Sequence, residues 1–199
     1  MSKIEIYKWP IEPKYKVIEH DKYGMRAVHQ ILKKPRFHSG FDITAETCTP
    51  VRPASVGTVV YADLDPKIKA GLCPWNHRYG NMVEIIDTYG RKCIYAHLRE
   101  ILCKVGDEVS FDDVIALSGC SGGSRIPHLH FEIRDGDLNH SGEENTVNPL
   151  ILLPEFDFDS LTEEFKEEPY ADFWKKSLDA SWQYTDDDIP YANNKMLIR

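Results

Sequence analysis

The sequence predicts an all-β domain: antiparallel sheets forming an open β-sandwich with a groove, followed by a short mixed or helical C-terminal extension. Three observations predict it. Short β-branched runs recur between glycines and prolines. Asn81 to Leu98 reads as strand, turn and return strand. No helical periodicity appears before residue 155.

In chain order, residues 1–22 are mixed and carry Pro10 and Pro13, and read as a lead-in that wraps the domain with one edge strand. Residues 23–154 form the domain itself. Val56-Gly57-Thr58-Val59-Val60-Tyr61-Ala62 is β-branched behind a glycine, as strands favour. Asp63 to Tyr79 interrupts the pattern with Pro66, Gly71 and Pro74; a loop of that length in a compact domain is expected to be functional, here as a cleft wall. Asn81-Met82-Val83-Glu84-Ile85-Ile86-Asp87 alternates, Thr88-Tyr89-Gly90-Arg91 turns, and Lys92-Cys93-Ile94-Tyr95-Ala96-His97-Leu98 returns as a hairpin. Val105 to Val109 and Val114 to Ser118 are two short strands, and His128 to Arg134 is the last clear one. From residue 155 to 199 the texture becomes acidic and aromatic. Ser160-Leu161-Thr162-Glu163 resembles a capping box, predicting a helix from about Leu161 that Pro169 ends, with a second from Tyr170 to Ala180. Its interleaved aromatics imply packing on the domain or on a partner rather than a purely solvated tail.

A chain of 199 residues holds one well-buried domain and an appendage. Its formal net charge of −8 argues against a nucleic-acid binder, which needs a basic field. No apolar run is long enough to span a bilayer. The opening residues, Met1 to Pro10, lack the apolar core of a secretory signal, so the chain as written is expected to be made in the cytoplasm. From there it stays, leaves by another route, or represents a trimmed sequence. Five dispersed cysteines with no Cys-x-x-Cys pair predict reduced, mostly buried thiols, with a Cys93–Cys103 bridge left open.

The chemistry lies in His38-Ser39-Gly40-Phe41-Asp42 and Pro127-His128-Leu129-His130-Phe131-Glu132, with Tyr95-Ala96-His97-Leu98 between them. Catalytic zinc takes three protein ligands and leaves a fourth position to water. His38 and Asp42 would stand roughly 13 Å apart on a straight strand, so they share an ion only if the chain bends at Ser39-Gly40. His128 and His130 are two apart and so face the same side of a strand. One can bind metal while the other reaches the metal's water, and His97 can add an outer imidazole. Glu132, again two residues on, either holds a ligand imidazole from behind or faces solvent. His20, His29, His77 and His140 read as ordinary surface or core histidines. The helical zinc phrase His-Glu-x-x-His is absent.

With these phrases the stretch from about Tyr23 to Leu153 resembles the lysostaphin-type, LytM-like zinc endopeptidases of peptidoglycan, the M23 class. The matching phrases, in family order, are Tyr23-Gly24-Met25-Arg26, Arg36-Phe37-His38-Ser39-Gly40-Phe41-Asp42-Ile43, Tyr79-Gly80-Asn81-Met82-Val83, Tyr95-Ala96-His97-Leu98, Val105-Gly106-Asp107-Glu108-Val109, Pro127 to Arg134, and Asn148-Pro149. The resemblance implies that His38, Asp42 and His130 bind Zn2+, that His97 and His128 are catalytic beside the metal's water, and that a groove between sheets takes peptidoglycan peptide. Two departures stand out. Ser118 to Pro127 differs from the usual approach to the last motif, with Ile126 in place of a small residue, and Ala45 to Val51 differs from the usual Ala-Pro-x-Gly-Thr-Pro-Val.

The expected activity is hydrolysis of stem-peptide or cross-link bonds, with zinc acidifying its water and a histidine, mainly His128, accepting the proton. Two rival expectations are a LytM-like binding or regulatory module and an intracellular zinc peptidase acting on a non-wall peptide. A wall hydrolase without an export signal implies non-classical delivery to the periplasm or cell wall, as an injected toxin or a phage lytic or tail protein. A toxin of that kind needs an immunity protein, and residues 155–199 are a delivery handle, a lid or a plain extension.

Overall fold

The computed structural model describes residues 7–17, 21–27, 35–69, 71, 78–124, 126–135 and 145–161. The predicted helices after Leu161, and His20, His29, His77 and His140, lie outside the described residues.

The hairpin read from Asn81 to Leu98 forms β6 (Asn81–Asp87) and β7 (Lys92–Leu98), the centre of the main sheet. Beside β6 lies β5 (Gly57–Leu64), edged by β9 (Glu108–Val109). Beside β7 lies β11 (His128–Arg134). The far edge of β11 is shared: β3 (Phe41–Thr44) pairs with its first half and β12 (Thr146–Val147) with its last two residues. A small sheet joins β4 (Pro50–Val51), β10 (Ala116–Leu117) and β8 (Glu100–Ile101), and a two-stranded ribbon pairs β1 (Gly24–Arg26) with β2 (Arg36–His38). Every pairing is antiparallel.

Period-two alternation sorts the two faces. On β11, Leu129, Phe131 and Ile133 are fully buried in the main core, with Phe41, Ile43, Val83, Ile85, Tyr95 and Leu98. His130, Glu132 and Arg134 take the opposite face, opposite Ala96, Ile94 and Lys92 of β7. That second face carries a small apolar cluster of Met82, Ile94 and Ala96, flanked by Tyr61 and Tyr79.

Three expectations need adjusting. Only Glu108–Val109 and Ala116–Leu117 of the two short runs pair as strands. At Gly106 a positive φ of 94° turns the chain, so the backbone there bonds to Val59 as a loop. The Asp63–Tyr79 insertion contains a one-turn helix, α1 (Pro66–Lys69), begun by Pro66 and capped by Asp65, whose carboxylate accepts from Lys67 N. The lead-in wraps the domain through loop contacts: among residues 7–17 there is no named strand, yet Tyr7 and Ile11 enter the core. The described cysteines Cys48, Cys93, Cys103 and Cys120 are all free thiols, so Cys93 and Cys103 are not bridged.

Candidate metal centre

His38 ends β2 and Phe41 begins β3, so the chain turns at Ser39-Gly40 and brings His38 Nε2 to 3.2 Å from Asp42 Oδ1. Gly40 is needed there for close approach. A Cβ at this position would meet the Phe131 carbonyl oxygen at 2.5 Å and the His130 ring at 2.7 Å. The register of β3 on β11 sets Asp42 directly opposite His130 across the ladder. Residues far apart in sequence thus become a same-face pair, with His130 Nδ1 2.9 Å from Asp42 Oδ1 and 3.0 Å from His38 Nε2. The ligand atoms of His38, Asp42 and His130 lie within 4.8 Å of one another.

Backbone and side-chain partners orient each ring. His38 Nδ1 lies 2.8 Å from both the Lys22 carbonyl oxygen and Arg26 Nη2. Arginine has only donors, so the ring hydrogen on Nδ1 goes to the carbonyl, leaving Nε2 free to accept, while the guanidinium donates to Asp42 Oδ2 at 2.7 Å. His128 stands beside the cluster, its Nε2 3.6 Å from Asp42 Oδ1 and its Nδ1 2.9 Å from the Ile126 carbonyl oxygen. Behind His130, Nε2 lies 3.2 Å from Glu132 Oε2, which answers the open question about that carboxylate: it is fully buried and faces the ring.

His97 reaches the site through a break in the alternation. Strict period two would send it to the main core with Tyr95. The pairing of β6 with β7 instead shifts register between Asn81 and Val83, so Ala96 and His97 together oppose Met82. This bulge puts His97 at φ +61°, a strained conformation for a bulky side chain. Its ring centroid then lies 4.8 Å from that of His128 and 5.9 Å from that of His130. Its Nδ1–H donates to the Ser121 carbonyl oxygen at 2.8 Å, and its backbone N to the Tyr79 carbonyl oxygen at 2.8 Å.

The electrostatics divide the histidines. Burial pushes His38, His97 and His128 below the ordinary imidazole value, His97 well below it and helped by its histidine neighbours. Burial also acts against a charged His130, but hydrogen bonds to Asp42 and Glu132 outweigh it and raise this ring to about 9. Burial would raise Asp42, yet the neighbouring His38 and His128 and the bond from His130 hold it well below the usual carboxylate range. His130 Nδ1 faces Asp42 Oδ1 and His38 Nε2, and a divalent cation between these three atoms would take the place of a shared proton. Two imidazoles and one carboxylate around one point, with two further imidazoles beside them, match the donor chemistry of a catalytic zinc site.

Known proteins share this sequence pattern and fold. The sequence profile described as Peptidase family M23 matches residues 36–149, more than half of the chain. The chain belongs to peptidase family M23. Its M23 region is 32% identical over 127 residues to the peptidoglycan DD-endopeptidase ShyA of Vibrio cholerae, covering 63% of this chain and 26% of that protein. It is 35% identical over 119 residues to the glycyl-glycine endopeptidase ALE-1 of Staphylococcus capitis, covering 58% and 29%. The chain therefore spans under a third of these curated relatives. The fold matches the catalytic domain of lysostaphin from Staphylococcus simulans, with a TM-score of 0.53, 27% identity, and 69% and 90% coverage. It also matches a catalytic-domain variant of the prophage-encoded M23 protein EnpA from Enterococcus faecalis, with a TM-score of 0.54, 26% identity, and 72% and 95% coverage.

All five residues singled out from the M23 motifs meet at one place. The sequence reading gave no role to Arg26, Ser39, Tyr79 or Arg134, which surround them. All four stand inside the matching motif phrases, the signal available for them, and their contacts depend on tertiary register.

Proposed function

We propose that this M23 chain is a zinc-dependent endopeptidase hydrolysing peptide bonds of bacterial peptidoglycan. His38, Asp42 and His130 hold the metal, and His97 and His128 form the acid–base pair. The observation that carries this reading is the convergence of three ligand atoms within 4.8 Å, with His128 Nε2 3.6 Å from Asp42 Oδ1. Bound zinc would polarise the scissile carbonyl and lower the pKa of water from about 15.7 to about 7. The chain's own residues do the rest. His128 and His97 are held by Nδ1–H donation to the Ile126 and Ser121 carbonyls, so Nε2 of each is the nitrogen left to accept a proton. Burial lowers both rings' pKa and so favours their neutral form near pH 7, in which each can accept a proton. Among the described residues Glu132 does not compete for the role, since it is fully buried behind His130.

The wall substrate is supported by relatives named as peptidoglycan DD-endopeptidase and glycyl-glycine endopeptidase. A wall substrate implies a site of action in the periplasm or cell wall. No helix among the described residues is long and apolar enough to cross a membrane. The test pairs elemental analysis with mass spectrometry of fragments released from defined muropeptides. One zinc per chain and new peptide termini are expected. Zinc binding with cleavage of generic peptides but not of muropeptides would favour the non-wall reading. Zinc without any cleavage would favour the binding module.

A further inference from the structure

Behind the ligand cluster stands a carboxylate that the proposed reaction does not use. Glu132 is 0% exposed, yet four donors from three parts of the chain converge on it. Its Oε2 accepts from Ser39 Oγ at 2.8 Å, Tyr79 Oη at 2.7 Å and His130 Nε2 at 3.2 Å, and its Oε1 accepts from Arg134 Nε. A buried charge persists only when its lone pairs are satisfied, as here.

The donors reach three parts of the site. Ser39 lies inside the turn that joins His38 to Asp42. His130 is on β11. Tyr79 closes the insertion after α1, and its carbonyl also holds the His97 backbone. One carboxylate therefore joins the elements carrying all three proposed ligands and His128, and through Tyr79 it is linked to the His97 backbone. A Glu132 acceptor on Nε2 also leaves Nδ1 as the only nitrogen with which His130 can meet the cluster.

We propose that Glu132, braced by Ser39, Tyr79 and Arg134, is the positioning residue of the metal centre: it fixes His130 to bind through Nδ1 and ties the His38–Asp42 turn to β11, so that the site is formed before metal arrives. This rests on the zinc reading of the cluster. The relevant magnitude is known in kind, because losing the acceptor behind a ligand imidazole commonly weakens metal binding about 10- to 100-fold.

The test is zinc affinity by chelator competition, together with the visible spectrum of the cobalt-substituted protein, on the full chain. Glu132→Gln should weaken zinc binding roughly 10- to 100-fold and shift the cobalt bands. Ser39→Ala and Tyr79→Phe each remove one brace and should weaken it roughly 2- to 10-fold. A purely structural role would lower the melting temperature of the metal-free variants but leave zinc affinity and the cobalt spectrum of the folded protein unchanged, and that result overturns the proposal. Should Glu132→Gln not fold by circular dichroism, the two brace variants decide, and wild-type affinity in both overturns it. Failure of the wild-type chain to bind zinc sinks the underlying zinc reading instead, so the two failures are distinguishable.

Discussion

At the scale of single residues the site divides into groups that hold charge and groups that must stay neutral. His38, Asp42 and His130 touch one another, so replacing any one with alanine should abolish stoichiometric zinc, read by elemental analysis. His97→Ala and His128→Ala leave those three in place. These variants should keep zinc while kcat/KM falls about 10²- to 10⁴-fold, the usual worth of a positioned acid or base. Native rates in either would remove its proposed role. A pH dependence follows from the same surroundings. Burial pushes His97 and His128 below 6.5, and a lowered pKa keeps the neutral ring down to lower pH. Activity is then retained as pH falls to 6.5 and lost only as it passes through the lowered values. A bound cation would push in the same direction. A kcat/KM profile with its acid limb at pH 7 or above would contradict this assignment.

At the scale of elements, the site depends on two irregularities in otherwise regular strands. The first is the turn at Gly40, where β3 presses its backbone against β11. In Gly40→Ala the methyl group would meet backbone at 2.5 Å and a ligand ring at 2.7 Å, and neither can move without opening the β3–β11 ladder. Overpacking of this kind costs about 1–3 kcal/mol. Thermal unfolding should show the loss and zinc titration should show weakened binding; a variant that keeps both at wild-type values would mean that β3 is free to shift. The second irregularity is the bulge at Ala96–His97. These two features mark what could be read from the chain. Alternation exposed the hairpin and β11 because one face of each strand enters the core, and the spacing of His128 and His130 showed a shared face. The need for a bend between His38 and Asp42 was legible too, since a straight strand cannot bring them together. That His97 leaves the face of Tyr95 was not legible, because a bulge arises from the pairing of two strands. Nor was the Glu132 cluster, whose donors come from three separate segments. The short strands β9 and β10 shrank from their predicted lengths because turn residues there bond as loops.

At the scale of the whole molecule, the question is how much chain the site needs. The M23 profile covers residues 36–149, but structure on either side of that span is joined to it. Lys8 N and the Pro10 carbonyl bond to Ala54 and Arg52, Tyr7 donates to Asp87, and Tyr7 and Ile11 are core residues. Trp9 packs edge-on against Phe41, Phe156 and Phe158 and donates to the Pro154 carbonyl oxygen. Phe41 precedes Asp42 and pairs with Phe131, so this aromatic clasp bears on the strand that carries a proposed ligand. Arg26 and the Lys22 carbonyl, which contact Asp42 and His38, also lie before residue 36. We therefore propose that the folding unit runs across the expected boundaries at residues 22/23 and 154/155, and extends over about residues 7–161. A fragment cut to residues 36–149 would expose Phe41, remove β1 and leave His38 without its carbonyl partner. It should lack cooperative thermal unfolding and bind zinc weakly, whereas residues 7–161 should melt cooperatively and bind zinc like the full chain. Trp9→Ala in the full chain should lower stability by roughly 2–3 kcal/mol, less than a fully buried tryptophan because Trp9 is only partly covered. If residues 36–149 alone melt cooperatively at the temperature of the full chain and hold zinc as tightly, the flanking segments are ornament, and Asp42 is held by β11 alone.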